Sequence, residues 1–307
     1  PRTEENVFRY FVDGSVRTYF LGTLVEHDKS SPVVLGQIGS AAVRRENDGR
    51  VHVRKGYQKN EIIILANKSQ LSDPVWKGAS SVLSSQVKSL FIRLVNTSED
   101  DSYNSSKSFG NNKEPRSRAA HKANWEMRLL EKELLRALLE EYDKSGELII
   151  VDGSLGKEFQ DKKFDRGFVG VIKNFSKDHI FRLQTRGKSI DINLFELLAK
   201  LHVNQRTMAF GRVDGTVVFW YVRIRPQKHL EYPLMGVLKV EYPNPTGIPI
   251  QGSLIDRLSR ALVAERTVSP HGKDSRWHAH LYPIYLAEQV IKNGFYSNEV
   301  LQAGIKW

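Results

Sequence analysis

Leu148-Ile-Ile-Val-Asp152-Gly-Ser-Leu155 decides the fold. An apolar run leads straight into an aspartate, and Gly and Ser follow at once. The run is too short for a buried helix and suits a buried strand. Glycine tolerates the turn geometry required there, so Gly153 is expected to stop the strand. Asp152 then stands at the strand's C-terminal edge, where open α/β sheets present ligands. The signal recurs near the N-terminus as Tyr10-Phe-Val-Asp13-Gly-Ser15. If the two strands are neighbours, two carboxylates meet, and paired carboxylates are hard oxygen ligands for Mg²⁺ or Mn²⁺. One Asp-Gly corner is more often only a turn. Two corners with the same apolar lead-in carry more weight than one.

The 307 residues suffice for one large domain or two modest ones, and a single domain over 1–307 is expected. Hydrophobic content is 40%, with no run near the roughly 20 apolar residues that cross a bilayer. No signal peptide is visible. The chain opens at Pro1 without Met and almost at once enters a strand, so residues upstream are expected to be missing. Absence of cysteine excludes disulfides, thiolate catalysis and Cys-ligated metal sites, and fits a cytoplasmic location. Net charge is +11 and the pI near 9.6, which points to a polyanion: nucleic acid first, an acidic membrane surface second. Acidic corners in a basic protein suit a metal-dependent nuclease, with cations holding phosphates and carboxylates holding the metal.

Around the two corners, residues 7–13, 16–27 and 32–44 read as three strands with short links, hence an antiparallel meander. Glu61–Ala66 is one more strand. Residues 74–95 read as a helix with Asp73 as cap and Pro74 near its start. Residues 97–118 are polar and read as a mobile loop. Residues 119–143 are the strongest helix, with Met127, Leu130, Leu134, Ala137 and Leu138 as its apolar stripe and Glu126 and Glu131 flanking it. The strand from Glu147 to Asp152 spans roughly 17 Å at ~3.3 Å per residue. An antiparallel helix recovers that length in about 11 residues at ~1.5 Å each. Counting back from Asp143 puts Glu131 level with Asp152 and Glu126 nearer the helix start.

Phe168 to Lys173 reads as a strand ending in a lysine that could meet a phosphate as a point charge. Residues 193–203 suggest a short helix. Met208–Arg212, Val217–Arg225 and Leu234–Tyr242 suggest a second antiparallel group. Arg223 and Arg225 share one strand face there, which suits phosphate or nucleic-acid binding beside a packed core and equally an exposed sheet face. Residues 253–265 form a helix with Ser253 as possible cap. Residues 270–280 form a loop dense in His and cations, and the i, i+2 spacing of His278 and His280 is weak for a metal. Tyr282 to Lys292 is a C-terminal helix with Pro283 in its first turn. No P-loop, Rossmann fingerprint or nucleophile elbow occurs.

Strands with Asp on the first, a Glu-bearing helix, then a strand ending in Asp: that order resembles ribonuclease H-like nucleases, and within them the NurA family. The matching residues are Val12-Asp13-Gly14-Ser15, the Glu-bearing helix, Ile150-Val151-Asp152-Gly153-Ser154-Leu155, Gly170-Val171-Ile172-Lys173, the Trp220 to Arg223 strand and Tyr282-Pro283. The resemblance implies a mixed ribonuclease H-like α/β sheet flanked by helices, with an additional antiparallel strand group. It implies a Mn²⁺- or Mg²⁺-dependent DNA nuclease that processes ends. It also implies a homodimer working with HerA, a hexameric DNA-translocating ATPase, in DNA repair or phage defence. By position, Asp13, the helix Glu (Glu131 or Glu126) and Asp152 would bind metal, Lys173 would approach the scissile phosphate, and Tyr282 would line the site. The family's His or Asp beyond Tyr-Pro is replaced by Glu288 and Gln289; Glu288 or His280 are the residues that could substitute.

Two other readings fit the residues: a PIWI-like lobe of a prokaryotic Argonaute-type protein, or a non-catalytic DNA-binding or assembly module. The expected partner under the nuclease reading is DNA, without a membrane.

Overall fold

The computed structural model describes residues 6–86, 92–98, 114–145, 147–156, 159, 164, 166–177, 179–185, 187–228, 231–268 and 277–304. The strands are β1 (Phe8–Glu26), β2 (Lys29–Arg45), β3 (Val51–Ala66), β4 (Ile92–Asn96), β5 (Leu148–Asp152), β6 (Phe168–Ile172), β7 (Ile180–Thr185), β8 (Lys188–Asn193), β9 (Phe210–Gly211), β10 (Val217–Arg223) and β11 (Val237–Pro243). The helices are α1 (Asp73–Gln86), α2 (Pro115–Ser145), α3 (Leu194–Ala199), α4 (Gly252–Glu265), α5 (Tyr282–Asn293) and α6 (Asn298–Gly304). The class is α/β, with a mixed nine-stranded sheet and a separate antiparallel pair, β7–β8. Among the described residues no helix is long and apolar enough to cross a membrane.

The chain divides into two compact units, each threaded from separate segments. The first holds Pro1–Val12, Val43–His52 and Arg136–Leu286; the second holds Asp13–Ala42, Val53–Leu135 and Ala287–Trp307.

In the first unit the strand order is β1-β5-β6-β11-β10-β9. β5 pairs parallel with β1 and with β6, and β11 returns antiparallel to β6. Residues of β5 and β6 are buried almost throughout, as expected for apolar strands covered on both faces. α4 is fixed to β10 by Trp220, whose indole N–H donates to Ser259 Oγ at 2.9 Å. Ser259 in turn donates to the Ile255 carbonyl at 2.7 Å, so the buried indole donor and the hydroxyl are both satisfied. Arg45 and Glu265 form a buried two-pronged ion pair, their side chains only 5% and 1% exposed.

In the second unit β4-β3-β2-β1 are neighbours. The period of two sorts their side chains. Val34, Ile38, Ile63 and Leu65 meet Ala119, Ala123 and Leu130 of α2. Val33, Leu35, Ile62 and Ile64 pack in another cluster with Leu301 of α6.

Several expectations are corrected. Residues 7–13 and 16–27 are not two strands; β1 runs unbroken through Asp13-Gly14-Ser15. The helix expected over 74–95 ends as α1 at Gln86, because Ile92–Asn96 pairs parallel with β3. α2 begins at Pro115, and its buried positions include Leu135, whereas Ala137 is exposed and Leu134 only half-buried. Gln251, not Ser253, precedes α4 as its cap residue, without a side-chain cap bond. Most of the polar loop 97–118, much of the charged stretch after Leu155 and most of the His-rich loop lie outside the described residues.

Removing one partner of a buried ion pair strands a charge, so Glu265→Ala should cost about 3–5 kcal/mol of unfolding free energy in urea titrations. The double replacement Arg45→Met with Glu265→Leu should recover most of that loss.

Candidate active site

In the first unit the parallel register pairs Phe11 with Ile150 and Val12 with Val151. Each strand reaches its aspartate at the next position, Asp13 and Asp152. Asp152 is still paired on its other side, opposite Val171 of β6. β6 then delivers Lys173, whose Nζ lies 2.7 Å from Asp152 Oδ2. Gly153 follows with φ of 101°, in the left-handed region that glycine alone adopts easily, and it ends the strand as the sequence implied. Its N–H donates to the Val171 carbonyl at 2.8 Å.

A further carboxylate supports this corner. Glu241 on β11 is 2% exposed, accepts the Leu155 N–H at 2.8 Å and takes Lys239 Nζ at 2.5 Å. Sequence reading passed over it. The available signal was a charged pair at i and i+2, Lys239 and Glu241, inside an otherwise apolar strand.

In the second unit the Asp13-Gly14 corner works differently. Gly14 has no positive φ among the described backbone outliers, and its N–H donates to Asp13 Oδ1 at 2.8 Å. What it provides is the missing side chain. A Cβ there would stand 2.5 Å from Glu131 Oε1 and 2.0 Å from Met127 Sδ, so α2 packs its glutamate directly on this backbone. Asp13 is 4% and Glu131 2% exposed, and a carboxylate buried to that degree needs compensation. Arg128, one turn earlier on α2, binds Glu131. Glu126 instead joins Arg93 at 2.8 Å and Lys122 at 3.6 Å, and Arg93 also meets Glu61 at 3.2 Å. Of the two glutamates, Glu131 is therefore the one beside the Asp-Gly corner.

Tyr282 is half exposed in the first turn of α5. It lines two cavities of the first unit, about 620 and 430 Å³, and Arg45 lines both. The larger also takes Arg50 and His52, and neither lining includes Asp152 or Lys173. Arg223 is corrected as a nucleic-acid contact. It is 1% exposed, and its guanidinium donates to the carbonyls of Met235, Pro233 and Leu198 at 2.6, 2.6 and 3.1 Å. Arg225 lies beyond the end of β10 and stacks on Trp277. His278 accepts the Gly236 N–H on Nδ1 at 2.9 Å, and Glu288 pairs with Lys292 at 2.7 Å.

Among the described residues no three His, Asp or Glu side chains form a ready-made metal cage. Asp13 and Glu131 in the second unit, and Asp152 in the first, each offer carboxylate oxygens, the donor type a hard divalent ion takes. Two of them already carry a cation, Glu131 through Arg128 and Asp152 through Lys173.

The family model described as the NurA domain matches residues 10–288. No curated protein matches the sequence. The packing at Gly14 yields a direct expectation. Gly14→Ala should cost about 1–3 kcal/mol by overpacking, read from urea titrations. Met127→Leu in the same chain should restore little of it, since Glu131 Oε1 still blocks the new methyl.

Proposed function

The chain belongs to the NurA family of nucleases, and is thereby a hydrolase; on that premise we propose that it cleaves DNA from ends with the help of Mn²⁺ or Mg²⁺. In this reading Asp13, Glu131 and Asp152 hold the metal. The observation that carries it is the parallel register of β1 and β5, which leads both strands into an aspartate at equivalent positions. The packing of Glu131 against Gly14, next to Asp13, supports the choice of glutamate over Glu126. The net charge of +11 supports a polyanionic substrate.

A divalent ion bound by these carboxylates would supply an acidified water and charge neutralisation at the phosphodiester. The remaining work falls to the chain. Arg128 orients Glu131 through their ion pair. Lys173, held by Asp152 at 2.7 Å, presents a compact positive charge to the scissile phosphate. The Gly153 turn and the Leu155 N–H bond to Glu241 keep Asp152 at the strand edge. Tyr282 offers a hydroxyl donor at a wall shared with Arg45. No protein nucleophile is required.

The proposal extends to partners: a homodimer that works in the cytoplasm with a HerA-type hexameric ATPase, in repair or phage defence. Family membership is its support, and the same membership leaves the Argonaute-type reading without any. A non-catalytic DNA-binding module is the competing reading. It draws on the cations already seated on Asp152 and Glu131, and on Glu288 and Gln289 standing beyond Tyr282-Pro283.

End-labelled single- and double-stranded DNA, incubated with Mn²⁺, Mg²⁺ or chelator, with and without a HerA-type ATPase, should be shortened only with metal. Asp152→Asn should lower that cleavage by more than about a hundredfold while DNA binding stays equal or tightens. Full cleavage by the variant sinks the metal assignment. Tight, salt-sensitive binding without cleavage in any condition selects the binding module.

A further inference from the structure

Arg225 is a buried cation without a counter-charge among the described residues. It is 9% exposed and lies just past β10 in the first unit. Its guanidinium stacks over the Trp277 ring at 4.7 Å, and Nη1 reaches the Val268 carbonyl only at 3.5 Å, the outer limit of a hydrogen bond. Among the described residues, buried Nε and Nη2 have no hydrogen-bond partner. Burial, then the nearby Arg266, pull its pKa below the ordinary guanidinium value. The neighbouring buried arginines are handled otherwise: Arg45 faces Glu265, and Arg223 spends its terminal nitrogens on three carbonyls. Buried charges are normally paired, and one left open marks a place where an anion is accepted.

The surroundings agree. Arg266, Thr267 and Val268 line the cavity of about 430 Å³ that Tyr282 and Tyr285 also wall. Thr267 is 5% exposed, and its Oγ1 is likewise buried without a hydrogen-bond partner among the described residues. Arg266 is exposed and donates Nη1 to the Val263 carbonyl at 2.7 Å. The acid in the lining, Glu265, is already neutralised by Arg45, so the charge left over is positive.

We propose that this cavity is a phosphate subsite in which Arg266 and Thr267 of its lining receive a phosphate group of a nucleic-acid strand, while Arg225, outside the lining and joined to it through the Val268 carbonyl, adds a second positive charge behind it. A guanidinium fork and a hydroxyl donor match the several acceptor oxygens of one phosphate. Tyr282 and Tyr285 add ring faces on which an unpaired base can stack, which favours a single strand. The choice of nucleic acid as the phosphate carrier rests on the nuclease reading; the anion site itself does not. An internal phosphodiester and a terminal phosphate share the chemistry required.

The test uses the intact chain. Inorganic phosphate, compared with chloride at matched ionic strength, should raise the melting temperature in a saturable way, because a ligand of the native state stabilises it. Arg225→Met and the exposed Arg266→Gln should each abolish that shift. In chelator, the slope of log affinity against log salt for a single-stranded oligonucleotide should fall by roughly 0.7 in each variant, the loss of one positive charge at the phosphate. Equal losses for 5′-phosphorylated and unphosphorylated oligonucleotides identify an internal phosphodiester; a loss confined to the phosphorylated one identifies a terminal phosphate. Absence of a phosphate shift in the unaltered protein overturns the proposal. So does a full shift with an unchanged salt slope in Arg266→Gln, which stays informative if Arg225→Met fails to fold. A phosphate shift without metal-dependent cleavage would spare this site and sink the nuclease reading, and cleavage without a shift would do the reverse.

Discussion

The parallel pairing of Tyr10–Val12 with Ile149–Val151, in unbroken register after an irregularity between Phe8 and Tyr10, is the constraint behind the candidate chemistry. Because side chains alternate with a period of two, a slip of one residue would exchange every inward position for an outward one. Burial on both faces makes such a slip costly: Phe11, Val12, Ile149, Ile150 and Val151 are each fully buried. The apolar run that identifies the strand therefore also specifies where its aspartate emerges. β6 extends the same logic, since its pairing with β5 sets Val171 against Asp152 and brings Lys173 to the carboxylate.

The two Asp-Gly-Ser stretches show how one signal can encode two physical devices. At Gly153 the glycine is needed for its φ of 101°, and the strand stops. At Gly14 the backbone stays in the strand, and the glycine is needed because a Cβ would collide with Met127 and Glu131. Local pattern could not separate these cases, because the second depends on what a helix more than a hundred residues away packs against it. For the same reason the sequence read a turn, and two strands, where β1 is continuous.

What was legible followed from local periodicity. The buried strands β5 and β6, the long amphipathic α2 and the helical start at Tyr282-Pro283 all announce themselves by apolar spacing or proline placement. Counting rise per residue set Glu131 level with Asp152 and left Glu126 as the other candidate; it is the packing at Gly14 that puts Glu131 beside the Asp13 corner. What stayed hidden depends on long-range partners. Arg45 meets Glu265 across 220 residues, and the Leu155 N–H meets Glu241 across 86. The division into two units was equally invisible, because each is assembled from three separated stretches and no linker marks a boundary.

Arginine illustrates the limit of charge counting. A net charge of +11 suggests a surface prepared for phosphate, yet Arg45 and Arg223 are consumed inside the first unit, one by a carboxylate and one by carbonyls. Their positive charge supports packing, because a guanidinium can satisfy several acceptors from one planar group. The cations relevant to a nucleic acid are those whose donors remain uncommitted after folding, and a strand pattern cannot rank them. Arg223 and Arg225 are two residues apart, on the face where alternation would treat them alike. Only the first has carbonyls converging on it. The difference lies in the turn ending at Gly236, which presents the Pro233 and Met235 carbonyls to Arg223 and leaves Arg225 against an aromatic ring. Specific recognition of a phosphate is then a matter of which arginine the fold declines to satisfy.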